Sequence, residues 1–171
     1  MKRKLFFLLL ATLLLTPWPV AYAYDNTMAR QAPVRIETAA PEAAPHWNAF
    51  GNAIGGVTPG DLFYIDTGNI TTDLPVTLYI TNTDELVHSY RYLTLNVAVY
   101  VQTDTDQWQK VTMANGELLP DTYITMHNGR VSFTLPGYAK YKITIDKGCF
   151  YCYGTSADKS ATSPTFYLTV G

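Results

Sequence analysis

Apolar and polar residues alternate along most of the chain after Pro59. In Val76-Thr77-Leu78-Tyr79-Ile80 the positions Val76, Leu78 and Ile80 fall on one face. In the longer run Leu93 to Val101, so do Leu93, Leu95, Val97, Val99 and Val101. A period of two is the mark of a strand with one face on a core and the other in water. The same pattern recurs in Leu62-Phe63-Tyr64-Ile65, around Trp108 and Val111, in Tyr123 to Met126, in Val131 to Leu135, in Ala139 to Ile145 with both lysines outward, and in Phe166 to Val170. Pro59-Gly60, Thr67-Gly68-Asn69 and Pro136-Gly137 read as turns, and Asn115-Gly116 and Asn128-Gly129 as hairpin turns. Only Asp84 to His88 suggests a helical turn. The connections are too short for parallel crossovers. The expected fold is therefore all-β: an antiparallel β-sandwich, jelly-roll or Ig-like, of about eight strands. Leu93 to Val101 is too apolar for an exposed edge, so it is placed centrally or at an assembly interface.

The N-terminal third breaks this pattern twice. Lys2, Arg3 and Lys4 precede an apolar run from Leu5 to Leu15, and prolines and Ala21-Tyr22-Ala23 follow. That is the layout of a secretory signal peptide, residues 1–23, too short to span a bilayer. Residues 24–56 are rich in Ala and Pro and keep no period, so they are expected to form an extended N-terminal arm ahead of a sandwich domain at 57–171. Within the arm, Trp47 and Phe50 either pack back on the domain or dock on a neighbouring subunit by adding a strand to an edge.

Removal of residues 1–23 leaves nine basic and fourteen acidic residues, a net charge of −5. That balance argues against nucleic acid or anionic lipid as a partner, and no second long apolar run suggests a membrane span after cleavage. Charged residues make up only 15% of the chain and there are 13 tyrosines, a composition suited to strands and to surfaces that meet other surfaces. Export implies a secreted, extracellular or cell-surface location.

Candidate chemistry is sparse. Cys149 and Cys152 are the disulfide candidate, since an exported chain meets oxidising conditions. On a continuing strand two such residues point to opposite faces about 10 Å apart, beyond the Cα separation of about 7 Å that a disulfide tolerates. Pairing therefore requires Gly148 to Gly154 to turn; a thiol-exchange centre, a metal site and intermolecular pairing are the alternatives. His46, His88 and His127 form no ligand motif, and Ser89 lacks the context of a nucleophile. Thr103 to Asp106 reads as a solvated hairpin tip rather than a Ca²⁺ loop. Asp61, Asp73, Glu85 and Glu117 carry no context that would pair them as an acid and a base. Asn69-Ile70-Thr71 is a glycosylation sequon. No catalytic residue, metal ligand or cofactor is expected. Tyr79, Tyr92, Tyr100 and Tyr167 lie at the polar phase of their strands and, with Trp108, are candidates to stack on sugar rings or be buried by a partner.

Val57 to Asp61, with its Pro-Gly-Asp turn, followed by strands and then Thr81-Asn82-Thr83-Asp84-Glu85-Leu86 before a long apolar strand, resembles secreted matrix-fibre subunits of the TasA/camelysin type. The chain departs from that pattern in Asp84, where the family has Gly, in its shorter length, and in the Cys149/Cys152 pair. Camelysins are classed as metallopeptidases, but no zinc motif stands here. The resemblance implies a jelly-roll sandwich that builds fibres by N-terminal strand donation. The residues thus point to a non-catalytic structural or adhesive protein of a cell surface or matrix, assembling with itself or with other surface components. The alternative is a carbohydrate- or ligand-binding module.

Overall fold

The computed structural model describes residues 34–50, 54–114, 117–119, 122–153 and 162–171, all within the unit Gln31–Gly171. In chain order the strands are β1 (Arg35–Thr38), β2 (His46–Phe50), β3 (Ile54–Thr58), β4 (Gly60–Asp66) and β5 (Leu74–Ile80). A short helix, α1 (Thr83–Ser89), is followed by β6 (Tyr90–Gln102), β7 (Trp108–Lys110), β8 (Met113–Ala114), β9 (Glu117–Leu118), β10 (Thr122–Thr125), β11 (Arg130–Leu135), β12 (Lys140–Cys152) and β13 (Phe166–Val170). The fold is an all-β antiparallel sandwich. An eight-stranded sheet is built around β6 and β12, and a three-stranded sheet has the order β11-β5-β13. The residues expected to form a signal peptide lie outside the described residues, as do Asn115 and Gly116, whose flanks Met113 and Leu118 pair.

β6 and β12 are thirteen residues each and pair along nearly their whole length, from Tyr141↔Val101 to Cys152↔Tyr90. β6 is central, as its apolar face requires: β12 lies on one side, β10 and β7 on the other. Leu93, Leu95, Val97 and Val99 are buried, and Val101 packs against the core with partial exposure. They meet Val76, Leu78 and Ile80 of β5 with Phe133, Leu135 and Leu168 of the smaller sheet in one apolar cluster. Each such burial is worth about 1.5–3 kcal/mol.

Three expectations need correction. First, the boundary at Val57 does not separate an arm from a domain. Within the described residues β1 pairs with β4, β3 with β12 and β2 with β3. The link between β1 and β2 lies so close over Gly60 that a Cβ there would sit 2.2 Å from the Pro45 nitrogen. Alanines and prolines obscure the period, but the backbone groups of this stretch still find ladder partners.

Second, Pro59-Gly60 does not reverse the chain. β3 and β4 lie end to end against β12 in one register, Gly56↔Cys149 continuing to Gly60↔Ile145. Pro59, which has no N–H to offer a ladder, interrupts a single long strand. Third, Asn128-Gly129 is not a hairpin turn. β10 pairs in the large sheet and β11 in the small one, so this turn carries the chain across the sandwich. The Asn128 side chain accepts from the Thr125 N–H at 2.7 Å and donates to the Tyr123 carbonyl at 3.0 Å, and Gly129 has φ 59°.

The two remaining turns close on each other. The buried Thr67 hydroxyl donates to the Ala139 carbonyl at 2.8 Å and accepts from the Ala139 N–H at 2.9 Å. Beside it, a Cβ on Gly137 would meet the Ile70 carbonyl oxygen at 2.0 Å. Thr67→Val keeps the shape but strands the Ala139 N–H. It should lower unfolding free energy by about 1–3 kcal/mol in urea denaturation; an unchanged midpoint would show that the latch contributes nothing.

Candidate functional site

A β-bulge in β4 and the outward phase of β12 build the main polar cluster. Along β4 the register skips Leu62, between Phe63↔Ile143 and Asp61↔Thr144. Leu62 and Phe63 are both buried. Residues three apart normally face opposite ways on a strand. The bulge puts Asp61 and Tyr64 on one face, where the Tyr64 hydroxyl donates to Asp61 at 2.7 Å. Along β12 the register skips Asp146, between Ile145↔Val97 and Lys147↔Asn96. Asp146 keeps the outward phase of Lys142 and Thr144, and the Thr144 hydroxyl donates to it at 2.9 Å.

On this outer face one row of register partners crosses five strands: Glu37, Tyr64, Lys142, Tyr100 and Lys110. The Lys142 ammonium lies 3.0 and 3.2 Å from the two Asp61 oxygens, and both side chains are more than four-fifths covered. It also lies 5.3 Å from the Tyr100 ring centre and 5.4 Å from that of Trp108, in cation–π range of both. Trp108 and Tyr64 are tilted neighbours with centres 6.1 Å apart. At the far end Asp146 accepts from Lys110 at 2.7 Å and from the Tyr100 hydroxyl at 3.0 Å.

The electrostatics follow from these contacts. The hydrogen bond to Asp61, with burial, pushes the Tyr64 phenol up to about 12. Burial and the bond to Asp146 raise Tyr100 as well. Burial alone would raise the Asp146 carboxyl, but Lys110 and the hydroxyls of Thr144 and Tyr100 outweigh it and hold it below the usual carboxylate range. A carboxylate held ionised in this way ties strands together and is a poor proton donor.

Next to this cluster lies a cleft of about 250 Å³. Trp108 and Tyr64 line it, with Arg35 and Glu37 from β1, Gln102 from β6 and Lys140 from β12. It presents two half-buried aromatic rings with donors and acceptors on several sides, the arrangement of sites that hold small polar ligands against a flat apolar surface.

Among the expected aromatics, Trp108 and Tyr100 come together here. Tyr79 and Tyr167 are direct register partners, but on the outer face of the smaller sheet. Tyr92 is exposed at the other end of β6, opposite Tyr151. Trp47 and Phe50 lie on β2 in register with Val57 and Ile54, and their side chains fall outside the described residues. Sequence reasoning passed over Tyr64, Lys142 and Asp146. The outward phase of Lys142 was legible, but the bulge that turns Asp61 toward it leaves no mark in a period-two pattern.

The disulfide expectation is corrected. β12 runs on through Cys152 without turning, so Cys149 is exposed and Cys152 buried, on opposite faces, and both thiols are free. Burial raises the Cys152 thiol. His46, His88 and His127 are all exposed, on β2, on α1 and in the crossing turn. The Ser89 hydroxyl donates to that of Thr162 at 3.2 Å. Thr103 to Gln107 is a hairpin tip closed by the Thr103 N–H on the Gln107 carbonyl at 2.8 Å. Among the described residues no three His, Cys, Asp or Glu side chains gather as a metal would need, and no helix is long and apolar enough to cross a membrane.

No family model matches the chain, and none of the curated proteins compared with it is significantly similar.

Because the Asp146 carboxyl lies lower in the folded chain than in the unfolded one, its stabilising effect is complete above pH about 4 and is lost as pH falls below that. Asp146→Asn should therefore flatten the acid limb of a melting-temperature profile while leaving its neutral slope alone. An acid limb identical to the wild type would refute the Lys110–Asp146 assignment.

Proposed function

We propose that this chain is a non-catalytic adhesive protein of an extracellular surface or matrix, which holds polysaccharide in the cleft beside Trp108. The cleft carries this reading. The Trp108 and Tyr64 rings present flat apolar surface, and Arg35, Glu37, Gln102 and Lys140 supply charged and amide groups that can bond a sugar's hydroxyls. Lys142 and Asp61 neutralise each other behind the rings, so their contribution is positioning. The basic, apolar and small-residue run of residues 2–23 supports export.

Pull-down on insoluble polysaccharides and affinity electrophoresis in soluble ones test the proposal. The full chain should be retained on at least one polymer. Trp108→Ala, with an unchanged circular dichroism spectrum, should markedly weaken that retention, since it removes the larger flat apolar ring of the cleft. Retention on no polymer, or equal retention by the variant, would overturn the reading.

One observation favours a second role, self-assembly through the N-terminal segment, which the matrix-fibre resemblance also implies. β1 is a four-residue, largely exposed edge strand, joined to β2 by the Ala- and Pro-rich link 39–45. Its ladder to β4 can equally be made by β1 of a neighbouring copy. Deleting residues 24–38 should then convert large assemblies seen by light scattering to small species. Assemblies of unchanged size would remove β1 from the mechanism.

A further inference from the structure

We infer that the free edge of β13 is a self-pairing surface, and that two copies join there antiparallel about Leu168 to make one continuous six-stranded sheet. β13 pairs with β5 alone among the described residues. The Thr81 N–H donates to the Thr165 carbonyl and the Gly171 N–H to that of Pro75. In an antiparallel ladder such bonds fall at every second residue, so Thr165, Tyr167, Thr169 and Gly171 face β5. Phe166, Leu168 and Val170 then turn their N–H and C=O groups to the open edge. Those six groups match the same six on a second copy in one register. Leu168 stands opposite Leu168, and Phe166 opposite Val170 in both directions, giving six ladder bonds. Moving the two-fold axis to Tyr167 would set Val170 against Pro164, which has no N–H to give.

The side chains fit that register. Phe166 and Val170 are partly exposed and pack against the core, so each copy would extend the other's apolar layer with a large residue facing a small one. On the outer face Tyr167 would stand opposite Thr169. No residue from Phe166 to Val170 is charged. By contrast β1, β7 and β11 carry Arg35 and Glu37, Lys110, and Arg130. Charges along an edge oppose pairing with a copy, and their absence over five residues permits it. The contact is isologous and closes at two copies. It involves neither the cleft nor β1, both of which belong to the large sheet, so its failure leaves the polysaccharide reading untouched.

Light scattering with size-exclusion chromatography tests the pairing, with two double variants at outer-face positions. Tyr167→Lys with Thr169→Lys opposes lysine to lysine twice across the axis. Tyr167→Lys with Thr169→Glu opposes lysine to glutamate. The wild type should dimerise with concentration. The Lys/Lys variant should dissociate about tenfold or more readily, with an unchanged circular dichroism spectrum, and the Lys/Glu variant should restore the dimer. Because assembly through β1 is a separate route, all three are also compared on a chain lacking residues 24–38. A truncated wild type that stays monomeric at every attainable concentration would overturn the inference. So would a dimer that survives the Lys/Lys change, or equal loss in both double variants.

Discussion

The pairing of β6 with β12 is the contact on which the rest of the sandwich depends. Between them they border β3, β4, β7 and β10, so every strand of the large sheet except β1 and β2 pairs directly with this couple or belongs to it. Their inward residues Leu93, Leu95, Ile143 and Ile145 are almost wholly removed from water. Burial at this density lets the chain offset its conformational entropy with both cysteines free.

The polar cluster depends on an irregularity where β4 pairs with β12. A regular β4 would alternate without interruption, and Asp61 would not share a face with Tyr64, whereas Asp146, two residues from Thr144, shares its face by simple alternation. The extra residue in β4 brings Asp61 to the outer surface for Lys142, while Asp146, in phase with Lys142 and Thr144, serves Lys110. The β12 bulge also reverses which residues face inward. Tyr141, Ile143 and Ile145 are buried before it, Phe150 and Cys152 after it. This irregularity leaves Cys149 at the surface. The partly covered Lys142–Asp61 pair gains from two aromatic rings that keep water from one side, while desolvation costs part of that gain. The pair is better understood as holding Tyr100, Trp108 and Tyr64 in place than as a source of net stability.

Edges are the other organising constraint. A sandwich that does not close into a barrel leaves strand edges. β1, β7 and β11 carry charges, while β13, like β2 and β10, carries no Asp, Glu, Lys or Arg. The two sheets therefore offer different surfaces: one a face with a cleft, the other an edge whose ladder groups have no partner strand among the described residues.

Alternation within one strand is a local property. For that reason the all-β class, the buried face of β5 and β6, the central place of β6 and the outward lysines of β12 were legible in the chain by itself. So were the helical turn after Asn82 and the hairpin tip at Thr103 to Asp106, where polar side chains act over a few residues. What depends on two strands at once was not legible. The bulges at Leu62 and Asp146, the passage of Pro59-Gly60 through one unbroken register, the crossing at Asn128-Gly129 and the pairing of residues 35–58 inside the sheet are all settled by a partner strand distant in sequence. Tertiary pairing alone decided that Tyr64, Tyr100, Trp108 and Lys142 meet while Tyr79, Tyr92 and Tyr167 lie elsewhere, because register, not spacing along the chain, sets which side chains share a surface.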